Sequence, residues 1–207
     1  CACEKNEKRL GSIVGTIRTE ATAPPPAALP ESVHRVCGAE VPDTSLLVGE
    51  GGGLKNAVVW VEDAPATPVP DEKPLLDQKG CLYTPPVLVA HTGAKLKVKN
   101  SDPLMHNVRA HPLFNVGMPI ENQVIERPLP DTPGPVKIVC DVHPWMRADV
   151  LVLPHDRWAI TGADGRFTLP GVAAGKRPVK VWHPVRGEQT VTVEVPAGGE
   201  GKLDTAL

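Results

Sequence analysis

Residues 140–146 read Cys140-Asp141-Val142-His143-Pro144-Trp145-Met146. A thiol, an imidazole and a thioether fall within this short segment, so a tight loop can turn all three toward one point. The flanking stretches 136–139 and 150–153 consist of valine, isoleucine and leucine with a single lysine, which is typical of buried strands. The sequence therefore predicts a hairpin whose end carries a cluster of metal ligands.

The composition favours an all-β protein. The 207 residues include 24 prolines and 19 glycines, which divide the chain into short apolar runs, and no segment keeps an apolar stripe at helical spacing over three turns. The formal net charge of −2 and the lack of a basic run interleaved with aromatics argue against nucleic-acid binding. No window holds the roughly 18 consecutive apolar residues that a spanning helix needs.

A metal held by Cys140 and His143 needs a further strong ligand, and His106 is the best candidate. It follows the alternating stretch 96–99, where a core strand can fix a ligand firmly. Two imidazoles and a thiolate with a distant methionine form the ligand set of a mononuclear copper site. Zinc is the main chemical alternative, but zinc gains nothing from the thioether of Met146 and usually recruits a fourth Cys, His or carboxylate. A dinuclear copper centre would need a second cysteine in the loop.

The segments 105–108 and 140–147 together resemble the cupredoxins, and among them amicyanin, whose ligand loop has the same short Cys-x-x-His-x-x-Met spacing. The resemblance covers roughly Cys81 to Leu153 and implies a Greek-key β-sandwich. Carried over residue by residue, it implies one type 1 copper site with the ligands His106, Cys140, His143 and Met146. It also implies that Asn107 ties the two ligand segments together. His143 would be partly exposed, with Pro144 and Trp145 in the patch through which the electron leaves.

The chain is longer than the small cupredoxins, and we predict two domains. Residues 10–154 would form the cupredoxin domain with an N-terminal extension, and residues 155–207 a second, smaller β-sandwich-like domain. The turn 161–167 resembles that of the carboxypeptidase regulatory-like β-sandwich. Residues 11–17 resemble the opening strand of that fold as well, so they could complete the C-terminal domain instead. The Pro-rich stretch 63–79 is predicted as an insertion over the surface, and the stretch 115–135 as a loop-rich crossover back to the hairpin.

The five cysteines divide by role. Cys1, followed by a polar run, resembles the lipid-carrying cysteine of a mature bacterial lipoprotein, and residues 1–9 would form a flexible tether. This implies attachment to a membrane in the periplasm or cell envelope, where disulfides form. Cys37 with Cys81 is the preferred disulfide, because both lie in the folded part beside Gly-rich turns. Cys3 is left without an assigned role.

These patterns predict a copper electron carrier that exchanges single electrons with protein partners outside the cytoplasm. We expect no enzyme activity and no small-molecule substrate, because neither a spare carboxylate pair nor a Ser-His arrangement accompanies the ligand set. A copper-trafficking or storage lipoprotein and a structural envelope module with a degenerate site remain alternatives. His111, with Met105 and Met118 nearby, could form an auxiliary copper-loading site, and His183 could lie at a domain interface.

Overall fold

A computed structural model describes residues 10–207 of the chain. The predicted tether, the lipid attachment at Cys1 and the unassigned Cys3 lie outside these residues. In the described part, no helix is long and apolar enough to cross a membrane.

The described residues are mostly β-strand, as predicted. The strands are β1 (Leu10–Arg18), β2 (Ala27–Ala28), β3 (Glu40–Val41), β4 (Val58–Val61), β5 (Leu75–Lys79), β6 (Leu82–Thr84), β7 (Val87–His91), β8 (Lys95–Asn100), β9 (His106–Ala110), β10 (Phe114–Met118), β11 (Val124–Pro128), β12 (Gly134–Val139), β13 (Arg147–Leu153), β14 (Trp158–Ile160), β15 (Arg166–Ala173), β16 (Gly175–His183), β17 (Gly187–Val195) and β18 (Glu200–Ala206). Within residues 10–207, helix is limited to the single turn α1 (His34–Cys37) and two 3₁₀ turns, Glu31–Val33 and Glu50–Gly52.

The chain folds as two compact units. The first, which we name the ligand-loop unit, comprises residues 24–45 and 67–154. Its main sheets have the strand orders β10-β9-β12-β13-β7 and β11-β8-β5-β6, and β2 pairs with β3. Alternation along the strands turns one face of each sheet inward, so the two sheets share one core. The fully buried members of that core include Leu96, Val98, Val108, Ile138 and Val150.

The second unit contains the C-terminal end of the chain, and we name it the terminal unit. It comprises residues 10–23, 46–66 and 155–207. Its sheets have the orders β15-β1-β18 and β14-β4-β16-β17, with β1 parallel to β18. Its core is apolar and includes Ile13, Ile17, Val59, Val179 and Val181, all fully buried.

The predicted domain boundaries need correction. We assigned residues 10–154 to one domain, but β1 pairs with β15 and β18, and β4 pairs with β14 and β16. Two segments from the first third of the chain therefore complete the sandwich formed by residues 155–207. For β1, the alternative we had considered is the arrangement observed.

The predicted disulfide is present. Cys37 and Cys81 are bonded, with their Cα atoms 5.4 Å apart, and join two positions 44 residues apart within the ligand-loop unit. Cys37 ends α1, and Cys81 lies in the tight turn between β5 and β6. Among the described cysteines only Cys140 is free, and it is buried.

Candidate metal centre

The ligand loop connects two neighbouring strands of the ligand-loop unit. Cys140 directly follows β12 and Met146 directly precedes β13, and these strands pair antiparallel up to Val139 and Arg147. His106 is the first residue of β9, which pairs with β12 on the other side. The sheet therefore brings His106 beside the loop, although the two segments are far apart in sequence.

Three of the four predicted ligands form one compact cluster. The Nδ1 atoms of His106 and His143 lie 2.9 Å apart, and the Cys140 Sγ lies 3.9 Å from the His143 Nδ1. All three donor atoms lie within 4.8 Å of one another. Metal bonds of about 2.0 Å to nitrogen and about 2.3 Å to sulfur can span such separations, so one ion fits the three donors.

The cluster is closed to solvent. His106 is fully buried, Cys140 is 3% exposed and His143 is 4% exposed. We had expected His143 to be partly exposed, and the structure instead buries it. The residues on either side of it, Val142 and Pro144, are solvent-exposed.

Met146 lies in the core beside the cluster. Its side chain is fully buried and packs in the same core as Cys140. Two backbone hydrogen bonds close the loop around it. The Met146 N–H donates to the His143 carbonyl at 2.9 Å, and the Cys140 N–H donates to the Met146 carbonyl at 3.3 Å. Its role as a ligand remains a prediction.

The environment of Cys140 favours a thiolate. The N–H groups of Asn107 and His143 each point at the Cys140 Sγ at 3.4 Å. Burial alone would raise the pKa of this thiol, but hydrogen bonds to His106 and to backbone N–H groups outweigh it and lower the pKa below its ordinary value. The thiolate is the form of cysteine that binds metals.

Asn107 joins the two ligand segments. Its Oδ1 accepts a hydrogen bond from the Asp141 N–H at 3.0 Å, and its Nδ2 donates to the Asn115 Oδ1. The Tyr83 hydroxyl donates to the Asn107 carbonyl at 2.5 Å, and it also lies 3.2 Å from the Val139 carbonyl. These bonds hold the strand of His106 against the loop of Cys140.

Asp102, which the sequence did not suggest, lies behind His106. The His106 Nε2 is 2.8 Å from the Asp102 Oδ2, and Asp102 is only 5% exposed. Burial opposes both charges, but their mutual hydrogen bond lowers the pKa of Asp102 and raises that of His106. In the sequence, Asp102 stands four residues before the candidate ligand His106. However, the Asp102-Pro103 pair is typical of a turn and did not indicate a contact with that ligand.

Trp145 packs against the second histidine. Its ring centroid lies 5.0 Å from that of His143, with the planes tilted by 40°, and its Nε1 donates to the Cys81 carbonyl at 3.1 Å. Trp145 is half-buried and Pro144 is exposed. The residues predicted for the electron-exit patch therefore line the outer side of the loop.

The remaining sulfur and imidazole candidates do not gather into a second site. His111 is exposed on the turn that joins β9 to β10, at the opposite end of β9 from His106. Met118 pairs with His106 and is fully buried, whereas Met105 is 47% exposed. The considered copper-loading site at these residues is therefore not formed. His183 lies at the end of β16 in the terminal unit, 1% exposed.

Comparison with known proteins identifies similar solved structures but no sequence family. No protein-family model and no curated protein matches the chain. A purple cupredoxin from Nitrosopumilus maritimus is 21% identical, and the match covers 39% of this chain and 100% of that chain with a TM-score of 0.36. Amicyanin from Paracoccus versutus is 19% identical over 46% of this chain and 97% of that chain, with a TM-score of 0.36. A copper-containing nitrite reductase from Thermus scotoductus is 16% identical over 45% of this chain and 25% of that chain, with a TM-score of 0.35.

Proposed function

We propose that the ligand-loop unit binds one copper ion in a type 1 site and that the protein is a one-electron carrier. The observation that carries the proposal is the buried cluster of two Nδ1 atoms and one thiolate sulfur, with Met146 beside it. Soft sulfur and imidazole donors in this combination favour copper. Copper bound there would supply one-electron chemistry through its two oxidation states.

The donor set argues for copper over zinc. Structural zinc sites are usually completed by a fourth Cys, His or carboxylate. Within residues 10–207, no fourth residue of these types joins the group of His106, Cys140 and His143. Asp102 contacts the ring nitrogen of His106 that faces away from the cluster.

The protein's own residues would keep the site rigid and dry. Asn107 and the loop's backbone bonds fix the Cys140 sulfur from two sides, and burial of all three donor residues excludes water. A fixed ligand geometry limits the rearrangement that accompanies electron transfer. The same burial restricts the access of a substrate to the donors, which favours a carrier over an enzyme.

The electron partners would be other proteins that dock at the outer side of the loop. Pro144 and Val142 are exposed there, and the half-buried Trp145 contacts the ring of His143. Electron-transfer contacts are typically small and transient. The Cys37–Cys81 disulfide supports an extracytoplasmic location, since such bonds persist in oxidising compartments.

The proposal is tested by loading the full chain with copper and recording absorption and EPR spectra. We expect an intense thiolate-to-copper charge-transfer band that Cys140→Ser abolishes. His111→Ala is the matched control, because His111 is an exposed imidazole at the far end of β9, and it should leave the band unchanged. Tight binding of zinc without such a band in the copper-loaded protein would contradict the proposal. Transfer of Cu(I) to an acceptor faster than electron exchange would favour the trafficking alternative.

A further inference from the structure

We propose that Asp102 is a positioning residue that fixes the tautomer of His106 and lowers the reduction potential of the centre. This inference rests on the proposed copper function. The His106 ring has two nitrogen atoms, which point in different directions. Nδ1 points at His143 and Cys140, while Nε2 contacts the Asp102 carboxylate at 2.8 Å. Each ring nitrogen therefore has a separate partner.

The carboxylate is held in place by a turn that presents two N–H groups to it. The Gly80 N–H donates to the Asp102 Oδ1 at 2.7 Å, and the Cys81 N–H donates to the Asp102 Oδ2 at 2.8 Å. Both residues have positive φ, 61° and 58°, and consecutive N–H groups in such turns form concave anion-binding sites. Cys81 is also tied to Cys37 by the disulfide. The orientation of Asp102 is thus set by the backbone.

Asn100 supports the backbone of Asp102 from inside the core. It is fully buried, and its Oδ1 accepts a hydrogen bond from the Asp102 N–H at 3.1 Å. Its Nδ2 donates to the carbonyls of Leu104 and Met118 at 2.9 and 3.0 Å. Met118 is the partner of His106 in the β9–β10 ladder. The network therefore spans the segment that leads into β9.

The contact has two chemical consequences for a ligand histidine. A carboxylate on Nε2 makes that nitrogen the N–H donor, which leaves the Nδ1 lone pair free for the metal. The negative charge also makes the imidazole a stronger electron donor. Because Asp102 and His106 are buried, water screens that charge poorly. The fixed tautomer serves both oxidation states, whereas the negative charge and the stronger donation favour the more highly charged, oxidised ion.

The test compares two carboxylate-to-amide changes in the copper-loaded full chain. In Asp102→Asn, the amide oxygen can still accept from His106 and Cys81, but the charge is lost and the NH₂ group faces the Gly80 N–H. We expect the Cu(II) affinity to fall by about tenfold or more, as for other residues that support metal ligands. The Cu(I) affinity should fall by less, so the reduction potential should rise. Asp77→Asn is the matched control, because Asp77 contacts Ser101 and has no bond to a ligand. It should change the ratio of Cu(II) to Cu(I) affinity by less than about twofold.

A second readout depends on the wild-type protein alone. In the reduced, diamagnetic copper form, nitrogen-15 NMR should show His106 protonated at Nε2, with its proton shifted downfield by the carboxylate. An aprotic Nε2 would overturn the inference even if Asp102→Asn failed to fold. An Asp102→Asn protein with an intact charge-transfer band and an unchanged potential would overturn it as well. Loss of the band in the wild type would instead overturn the proposed function.

Discussion

The ligand-loop unit and the terminal unit treat buried polar groups differently. In the terminal unit they serve the backbone: the Thr161 hydroxyl donates to the Leu54 carbonyl at 2.6 Å and accepts from the Ala57 N–H at 2.9 Å. In the ligand-loop unit Asn100 likewise binds backbone groups, including the Asp102 N–H at 3.1 Å, but the buried side chains of Asp102 and His106 also bind each other at 2.8 Å. Connected polar networks are favourable only when every member is satisfied. The difference separates polar groups that stabilise a fold from polar groups that organise a site.

The ligand-loop unit also has a covalent support that the described part of the terminal unit lacks. Both flanks of the cluster lead to Cys81: its N–H binds Asp102, which binds His106, and its carbonyl binds Trp145, which contacts His143. The disulfide from Cys37 to Cys81 therefore holds the residue that supports both histidines. The disulfide should therefore affect both the stability of the ligand-loop unit and the positions of the two histidines.

The largest effect that we predict is removal of this disulfide by the double substitution Cys37→Ser and Cys81→Ala. The bond closes a loop of 44 residues, and the chain-entropy model assigns about 4 kcal/mol to a loop of that length. Hydrogen exchange of the metal-free full chain should show β9 and β12 opening more readily by about that free energy. Amides of β16, in the terminal unit, should be unchanged and act as the internal control.

An equal loss of protection in both units would contradict this prediction. It would mean that the two units unfold together in one cooperative step, so that they have the same free energy of unfolding. A dithiol reductant offers a second check, because it should reproduce the effect in the wild type and have none in the double variant.

The next largest effect is a pH dependence that belongs to the terminal unit. His183 is 1% exposed, and burial, together with the nearby Arg186, lowers its pKa from 6.5 to about 4. The unfolded chain therefore binds more protons than the folded one between these values, so stability is present above pH 6.5 and is lost as the pH falls toward 4. The shift corresponds to roughly 3 kcal/mol.

The measurement compares urea unfolding of the wild type and of His183→Gln from pH 7 to pH 4. The free energy of unfolding of the wild type should fall by roughly 3 kcal/mol more than that of the variant. His111→Gln, which changes an exposed imidazole, is the control and should follow the wild type. An NMR titration midpoint of His183 near 6.5 would contradict the assignment.

Local patterns were enough to predict the strands on either side of residues 140–146. Both strands could be read directly from the sequence, because each contains a short apolar run next to a candidate ligand. His106 was selected as a residue just past the strand at 96–99, whereas it opens the following strand, β9. Cys37 and Cys81 were also paired correctly. The strands depend on residue type and on near neighbours in sequence, which is what a single sequence records. The two cysteines, 44 residues apart, were paired because both lie beside Gly-rich turns in the folded part.

The features that were missed depend on long-range pairing. Nothing local in β1 or β4 indicates that their partners lie beyond residue 155. The stretch 115–135 was predicted as loop because of its prolines, yet it contains most of β10 and all of β11, with Pro128 at the last position of β11. Asp102 was overlooked because its role depends on burial and on the turn at Gly80 and Cys81, which only the folded chain brings to it.

The smallest effect that we predict concerns a second carboxylate near the centre. Asp141 follows Cys140 directly, but its side chain is 41% exposed, and it forms an ion pair with the half-exposed Arg109 at 2.6 Å. Solvent screens such a pair, so it contributes at most about 1 kcal/mol. The bond that matters for the loop, from the Asp141 N–H to Asn107, belongs to the backbone and survives a side-chain change.

Asp141→Asn should therefore lower the free energy of unfolding by less than about 1 kcal/mol, and this loss should shrink further at high salt. The charge-transfer band should be unchanged. Urea unfolding at two salt concentrations and redox titration provide the measurements, with Asp102→Asn as the buried counterpart. Both substitutions remove one carboxylate charge close to a ligand, but only Asp102 is buried and bonded to a ligand ring. If Asp141→Asn changed the reduction potential as much as Asp102→Asn, the distance of a carboxylate from the site would determine the potential. The buried hydrogen bonds of Asp102 would then make no separate contribution.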